Sequence, residues 1–193
     1  AAHGQPFAQT LTGFKWIGRV PGLAFGYEEA IGYCTDPAAV ADKDGITALL
    51  RVLALVAELK AQGRTPSDLL DDLARTHGVC LTEPLSYRVA DLALITDAMA
   101  TLRSTPPTML GGEAVALVDL ALGSPELPPT DGLLFTGRRV RAVVRPSGTE
   151  PKLKCYLQVR LAPEASGDLP VARAEARALL ARLRSDLASS LAL

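Results

Sequence analysis

The sequence predicts an incomplete α/β unit over residues 1–78, followed by an α+β domain over residues 79–193. In the first part, the helical patterns at residues 46–59 and 66–77 are not preceded by the strands that an α/β domain needs. The second part reads as strand, helix, several strands and helix, which is typical of a whole α+β domain. The boundary follows Gly78, which ends a helical pattern.

The composition excludes several classes of function. The chain has 193 residues, is 48% hydrophobic, and carries a net charge of −1 with an isoelectric point near 6.2. This length allows a sizeable core, whereas the balanced charge gives no basic field for nucleic acid or an anionic membrane. Three scattered cysteines, without a signal-peptide pattern, favour neither disulfides nor zinc. We therefore expect a cytoplasmic protein with no nucleic-acid or membrane partner.

The first part begins with a loop and a carboxylate pair. Residues 10–18 predict a loop that leads into a short strand or helix beside a pocket, with Phe14 and Trp16 as packing anchors. The pair Glu28 and Glu29 lies between glycines. Such pairs usually face solvent, and the residues alone leave that interpretation open beside a binding role.

Two helices are predicted next. Residues 46–59 form an apolar run that predicts a mostly buried helix, with Asp42 or Asp44 as its N-cap and Lys43 in a surface ion pair. Thr65 is predicted to cap a second helix that ends near Gly78.

The second part alternates strands and helices. Strands are predicted at residues 79–89, 113–120, 140–144 and 153–161. Residues 113–120 are predicted to form a buried strand, and residues 140–144 are rich in β-branched side chains. Helical spacing covers residues 92–102, and a long helix covers residues 168–187 with leucines on one side. Its arginines, Arg173, Arg177 and Arg184, are interpreted as a solvated face. Cys155 is predicted to lie in the core rather than to react.

The turn at residues 145–151, Arg-Pro-Ser-Gly-Thr-Glu-Pro, joins two predicted strands. Gly148 can adopt a positive φ and bring its backbone close to a ligand. The loop can point its N–H groups at an anion, and Arg145 adds a bidentate, permanently charged contact. Ser147 and Thr149 supply further donors. An ordinary hairpin loop is an equal alternative on the residues alone.

This turn resembles the phosphate-binding loop of the C-terminal domain in the α-D-phosphohexomutase superfamily. Three further stretches resemble the same superfamily in the required order, at residues 10–18, 26–32 and 42–46. The resemblance covers nearly the whole chain. It implies part of an α/β third domain, followed by an α+β fourth domain with a small antiparallel sheet and helices on one face. We therefore expect a C-terminal fragment of a longer protein.

The resemblance also implies roles for individual residues. Arg145, Ser147, Gly148 and Thr149 would bind the phosphate that is not being transferred, with Lys154 and Glu150 in support. Thr12, Gly13, Glu28 and Glu29 would contact the sugar, Glu28 by accepting hydrogen bonds from its hydroxyls. Lys43 would contact the sugar phosphate or assist proton transfer, as a catalytic residue.

Members of the superfamily move a phosphoryl group between C1 and another hydroxyl of a sugar. They use a bisphosphorylated intermediate, a phosphoserine and Mg²⁺, and a sugar bisphosphate is the implied activator. The sequence holds neither a Ser-His-Asn-Pro-like segment nor an Asp-Gly-Asp loop. We therefore expect no metal ligand in this chain, a phosphosugar as substrate, the upstream domains of the same polypeptide as partners, and no catalysis by the fragment alone.

The preferred sugar stays open. The leading hypothesis is a phosphomannomutase or phosphoglucomutase. Ala30 stands where many glucose and mannose mutases have Ser, and the surrounding residues resemble the branch with phosphopentomutase and sugar-bisphosphate synthase activities. A third hypothesis is a stand-alone, non-catalytic phosphosugar-binding module.

Overall fold

The computed structural model describes residues 4–28, 32–123, 127–163 and 167–191. The chain forms two compact units, Ala1–Leu69 with Ser124–Pro128 and Leu70–Gly123 with Pro129–Leu193. This division falls inside a helix, upstream of the boundary after Gly78, which stays a prediction.

The first unit contains short strands and helices. Its elements are α1 (Phe14–Ile17), β1 (Gly26–Glu28), β2 (Gly32–Cys34), α2 (Gly45–Ala61) and the start of α3 (Pro66–His77). Strands β1 and β2 pair antiparallel, with Tyr27 opposite Tyr33. The loop at residues 10–18 therefore leads into a helix, one of the two predicted outcomes.

The N-termini of α2 and α3 follow the capping rules. Asp44, rather than Asp42, caps α2, because its carboxylate accepts hydrogen bonds from the amides of Ile46 and Thr47 at 3.3 and 2.8 Å. These amide contacts, chiefly that of Thr47, lower the pKa of Asp44. Thr65 and Asp68 cap α3 reciprocally, since each side chain accepts from the other residue's amide.

The prediction that α2 is mostly buried is wrong. Only Leu59 is buried, at 4% exposure, whereas Ile46 is 73% and Leu50 is 61% exposed. The apolar side chains of α2 occur all round the helix, and its main packing partner is the short strand β2. A strand of three residues is too small to cover them.

The second unit is built on one antiparallel sheet. Its elements are β3 (Val79–Arg88), α4 (Ala93–Ser104), β4 (Met109–Leu110), β5 (Glu113–Ala114), β6 (Ala116–Asp119), β7 (Leu133–Thr136), β8 (Val140–Pro146), β9 (Lys152–Leu161) and α5 (Leu169–Leu191). Five strands form the sheet in the order β3-β9-β8-β7-β6. Helices α4 and α5 supply Met99, Leu102, Leu179 and Leu183 to the core beside the sheet. The predicted α+β fold is confirmed.

The single buried strand predicted at residues 113–120 is wrong. The segment forms β5, which pairs with β4, and β6, which pairs with β7. Between them the amide of Val115 bonds to the carbonyl of Thr108 at 3.0 Å. The segment changes partner at this point, and its side chains are at most half-buried.

Alternation along β9 divides its side chains between the two faces of the sheet. The buried residues Leu153, Cys155, Leu157, Val159 and Leu161 share the face that packs against α5. Burial raises the pKa of Cys155 to about 12, as expected for a core thiol. Lys152, Lys154 and Tyr156 lie on the opposite face, which we call the outer face.

The arginines of α5 are not all a plain solvated face. Arg173 is half-buried and bonds to Asp71 at 2.6 Å, and Arg184 lies 3.3 Å from Glu83. Arg177 is exposed, as predicted. The first two help to attach α5 to its neighbours in the second unit.

Candidate functional site

The turn between β8 and β9 is a closed hairpin with an open tip. The amide of Ser147 donates to the carbonyl of Lys152 at 2.8 Å, and the amide of Lys152 donates to the carbonyl of Glu150 at 2.7 Å. Gly148 and Thr149 are exposed, and their amides bond to no other described residue. The amides of Gly148 and Thr149 therefore remain as donors for an anion, together with the amide of Glu150, which also bonds to no other described residue, and the hydroxyls of Ser147 and Thr149.

Gly148 does not use the positive φ that is open to glycine. A Cβ atom added there would meet no heavy atom within 4 Å. The backbone at the tip is thus sterically accessible, which permits a ligand to approach the amides closely.

Arg145 lies on the outer face, two residues before Ser147. Its Nη2 donates to the hydroxyl of Tyr156 at 2.9 Å, and its Cζ lies 5.4 Å from the centroid of the Tyr156 ring. The side chain is half-buried and forms no ion pair with any described residue. Its charge is therefore available to an anionic ligand.

Glu150, the one carboxylate of the turn, is neutralised by two cations. Its oxygens lie 2.9 Å from Lys152 Nζ and 3.0 Å from Arg88 Nη2. The Lys152 contact first, and then Arg88, lower the pKa of Glu150. With Arg145 and Lys154 nearby, the turn is locally cationic although the chain as a whole is not.

A cavity of about 290 Å³ adjoins the turn. It is lined by Ser147 and Glu150 on one side and by residues of α4 on the other, Ile95 and Met99 among them. Arg103 of α4, which also lines it, bonds to Asp119 at 2.9 Å and to Asp131 at 2.5 Å. The cavity leaves space beside the turn for a group that is attached to a bound anion.

In the first unit, the structure brings Glu28 and Lys43 together. Lys43 Nζ lies 3.0 Å from Glu28 Oε1, with the carboxylate side chain 8% and the lysine side chain 54% exposed. The hydrogen bond from Lys43 to Glu28 raises the pKa of the lysine. Lys43 Nζ also lies 5.8 Å from the centre of the Phe14 ring. The lysine stays charged at neutral pH.

Gly32 leaves room for the Glu28 side chain because it has no Cβ atom. A Cβ atom at Gly32 would lie 2.4 Å from Glu28 Cγ and 2.8 Å from Phe14 Cε2, closer than real Cβ contacts. The pairing of β1 with β2 therefore places the Glu28 side chain directly against position 32, which accommodates only glycine.

Two further predicted sugar contacts lie at the start of α1. Gly13 is its N-cap with φ 108°, and its carbonyl accepts from Trp16 at 3.0 Å, while Thr12 is exposed. Phe14 is buried, as predicted for an anchor, but Trp16 is 39% exposed and anchors less. Glu29 and Ala30 lie outside the described residues, so their predicted roles stay predictions.

Neither a metal-binding cluster nor a membrane span occurs within the described ranges. The described residues contain no group of three or more His, Cys, Asp or Glu side chains that could bind a metal ion. Within the same ranges, no helix is both long enough and apolar enough to cross a bilayer.

Two family models match the chain. The model of phosphoglucomutase/phosphomannomutase alpha/beta/alpha domain III matches residues 1–77, and the model of the C-terminal domain matches residues 88–184. The chain belongs to the phosphoglucomutase/phosphomannomutase family. The predicted resemblance, to domain III followed by the C-terminal domain, is confirmed.

Individual relatives agree with this assignment. A probable phosphomannomutase of Haemophilus influenzae is 45% identical over 79% of this chain and 31% of its own length. The phosphoribomutase of Saccharomyces cerevisiae is 33% identical over 81% of this chain and 31% of its own length. The chain thus spans about a third of the length of these relatives. A solved structure of a Paramecium phosphoglucomutase, parafusin in its open form, shares the fold with a TM-score of 0.53 and 18% identity, over 86% of this chain and 30% of that chain.

The geometry adds residues that sequence reasoning missed. Arg88 reaches Glu150 across 62 residues, and Arg103 lines the cavity beside the turn. Their contacts depend on non-local packing, for which the sequence carries no signal. Tyr156 could have been found, because it shares the period-two face of Lys152 and Lys154.

Proposed function

We propose that this chain is the part of a phosphohexomutase that binds the sugar and the phosphate which is not transferred. The parent enzyme would interconvert sugar 1-phosphate and 6-phosphate through a bisphosphorylated sugar and an upstream phosphoserine. One observation carries the proposal: the turn tip presents the amides of Gly148 and Thr149 without partners among the described residues, beside Arg145 and a neutralised Glu150. The relatives' longer chains would supply the rest of the catalytic machinery.

The turn would act as a clamp for the distal phosphate. A phosphate dianion accepts hydrogen bonds from N–H groups and pairs bidentately with a guanidinium, which are the groups that the turn offers. Binding energy gained at this non-reacting phosphate can orient the reacting end of the sugar. The clamp therefore contributes to rate without touching the transferred group.

Glu28 and Lys43 would read the sugar. A carboxylate can accept hydrogen bonds from two vicinal hydroxyls, and Lys43 holds it in place at 3.0 Å. Because the pKa of Lys43 is raised, the residue is an ammonium at neutral pH. It would therefore act as a hydrogen-bond donor or general acid and not as a general base. Thr12 and Gly13 would line the approach to the sugar, with Glu29 as a further contact.

Magnesium belongs to the parent enzyme in this proposal. When bound, it would neutralise charge on the transferred phosphoryl group. The described residues offer it no cluster of ligands, so this chain's proposed contribution is binding and orientation alone. A sugar bisphosphate would be the activator, and the cytoplasm the compartment.

A second candidate is a phosphopentomutase. Relatives named phosphoribomutase, in Saccharomyces cerevisiae, and phosphopentomutase, in Mus musculus, are 33% and 31% identical. The probable phosphomannomutase, at 45%, favours the hexose. Discrimination between the two would come from the sugar-reading residues, since the clamp contacts phosphate only.

The experiment is an NMR titration of the 193-residue chain, following the amides of Gly148 and Thr149. Inorganic phosphate, mannose 1-phosphate, glucose 1-phosphate and ribose 1-phosphate would be added separately. We expect saturable shifts at these amides with every probe, lost in Arg145→Ala, and a ranking among the sugars that Glu28→Gln abolishes. Absence of saturable shifts at the turn, or equal shifts in Arg145→Ala, would overturn the clamp.

A further inference from the structure

We infer that Tyr156 is a positioning residue for Arg145, which orients the guanidinium for phosphate before the ligand arrives. The inference rests on the proposed phosphate clamp. Tyr156, which lies outside the turn, would thereby contribute to the turn's affinity for phosphate.

The strand register explains why these two side chains meet. Arg145 on β8 lies opposite Lys154 on β9, and Tyr156 lies opposite Val143. Tyr156 is therefore the diagonal neighbour of Arg145 on the outer face, within reach of a long side chain. Two contacts result: the hydrogen bond of 2.9 Å from Nη2 to the hydroxyl, and the guanidinium centre at 5.4 Å from the ring centroid. The first distance is within the usual range of a hydrogen bond, and the second is within the usual range of a cation–π contact.

Lys154 makes the diagonal contact the preferred one. It stands directly opposite Arg145 and pairs with no acid among the described residues. Like charges directly across two strands disfavour each other. Arg145 is thus drawn away from Lys154 and toward Tyr156, where its charge meets the electron-rich face of a ring.

The contact leaves Arg145 able to bind phosphate. The hydroxyl takes a single N–H of the guanidinium, so the remaining N–H groups can form a bidentate contact. A neutral hydroxyl is also a weaker partner than a phosphate dianion, so it orients the arginine without competing for it. The rotamer freedom that a loose arginine would lose on binding is already lost in the folded chain, which favours tighter binding.

The test measures dissociation constants of the 193-residue chain for inorganic phosphate and glucose 1-phosphate. Tyr156→Leu removes both contacts and is expected to weaken binding about tenfold, whereas Tyr156→Phe keeps the ring and is expected to weaken it about threefold. Tyr87→Phe, on the helix-covered face of β3, is the matched control and should bind as the wild type does. Melting temperatures identify any variant that fails to fold.

A double-mutant cycle separates positioning from a merely structural role. Lysine at position 145 lacks the planar fork that lets one N–H bond the hydroxyl while others bind phosphate, so in an Arg145→Lys background Tyr156→Leu should have a smaller effect than in the wild type. Should Tyr156→Leu fail to fold, Tyr156→Phe decides, and unchanged affinity overturns the inference.

The outcomes distinguish this inference from the proposed clamp. If Arg145→Ala leaves affinity unchanged, the clamp itself fails. If Arg145→Ala weakens binding while folded Tyr156 variants bind as well as or better than the wild type, the clamp stands and the positioning role is refuted.

Discussion

Replacing Gly148 by alanine separates the turn's proposed binding role from its structural role. The added Cβ would meet no atom within 4 Å, and the residue does not have a positive φ. The folded chain therefore accommodates alanine without strain. Because alanine restricts the unfolded chain, Gly148→Ala should raise the free energy of unfolding by about 0.4–1 kcal/mol.

The same methyl group should obstruct the ligand. It would occupy the open space at the turn tip through which, in the proposed clamp, a phosphate oxygen would reach the amides of Gly148 and Thr149. Loss of one hydrogen bond to a charged group costs about 1.5–3 kcal/mol, which corresponds to a dissociation constant about 10-fold to 150-fold higher. The variant should thus be at least as stable as the wild type and bind much less phosphate.

The assay combines urea unfolding with the phosphate titration of the amides. Gly167→Ala is the matched control, because Gly167 also has open space, has no positive φ, and lies beyond the other end of β9. It should gain stability and keep its affinity. Unaltered affinity in Gly148→Ala would refute the close backbone approach, and a loss of stability would refute the turn conformation described above.

Three further predictions concern the contacts of Glu28, with Gly32 and with Lys43, and the burial of helices α2 and α4. Gly32→Ala should destabilise the chain by about 1–3 kcal/mol through overpacking, because its Cβ would fall 2.4 Å from Glu28 Cγ; calorimetry measures this, and an unchanged melting temperature would contradict it. Lys43→Met should lower the free energy of unfolding at pH 7. Above pH 10.5 the free energies of unfolding of the wild type and the variant should converge, because the stability that comes from the raised pKa of Lys43 is lost as the pH rises through that pKa. Urea unfolding at several pH values tests this convergence. Leu50→Ala on exposed α2 should change stability by no more than about 0.5 kcal/mol, whereas Leu102→Ala in the core should cost about 2–5 kcal/mol, and equal effects in denaturant titrations would argue against the described burial.

Local signals predicted much of the fold. Period-two alternation from Leu153 to Leu161 gave the two faces of β9 correctly, because each side chain's face follows from its own position. The cap at Thr65 was predicted for the same reason, and Asp44 was one of the two residues predicted for the other cap, since the bonded groups lie within three residues. The turn residues were all identified in advance, although their roles stay proposals.

Non-local contacts set the limit of prediction. The burial of α2 depends on which other elements pack against it, and the strand break at Val115 depends on a change of pairing partner. The local sequence of either segment does not determine these contacts. Glu28 and Lys43 were each named from their own motifs, but their contact across 15 residues came only from the structure. Arg145 and Tyr156 meet through strand register, which alternation alone does not fix.

The ion pairs of Glu150 bear on how the proposed clamp would hold a phosphosugar. Through Arg88 and Lys152, Glu150 ties the turn to the ends of β3 and β9. The donors of the turn are amides, hydroxyls and a guanidinium, all of which are suited to a phosphate and none to a particular sugar ring. The proposed clamp would therefore bind phosphate without distinguishing which end of the sugar carries it. A bisphosphorylated sugar could therefore leave it, reverse, and be held again by its other phosphate without any rearrangement of the turn.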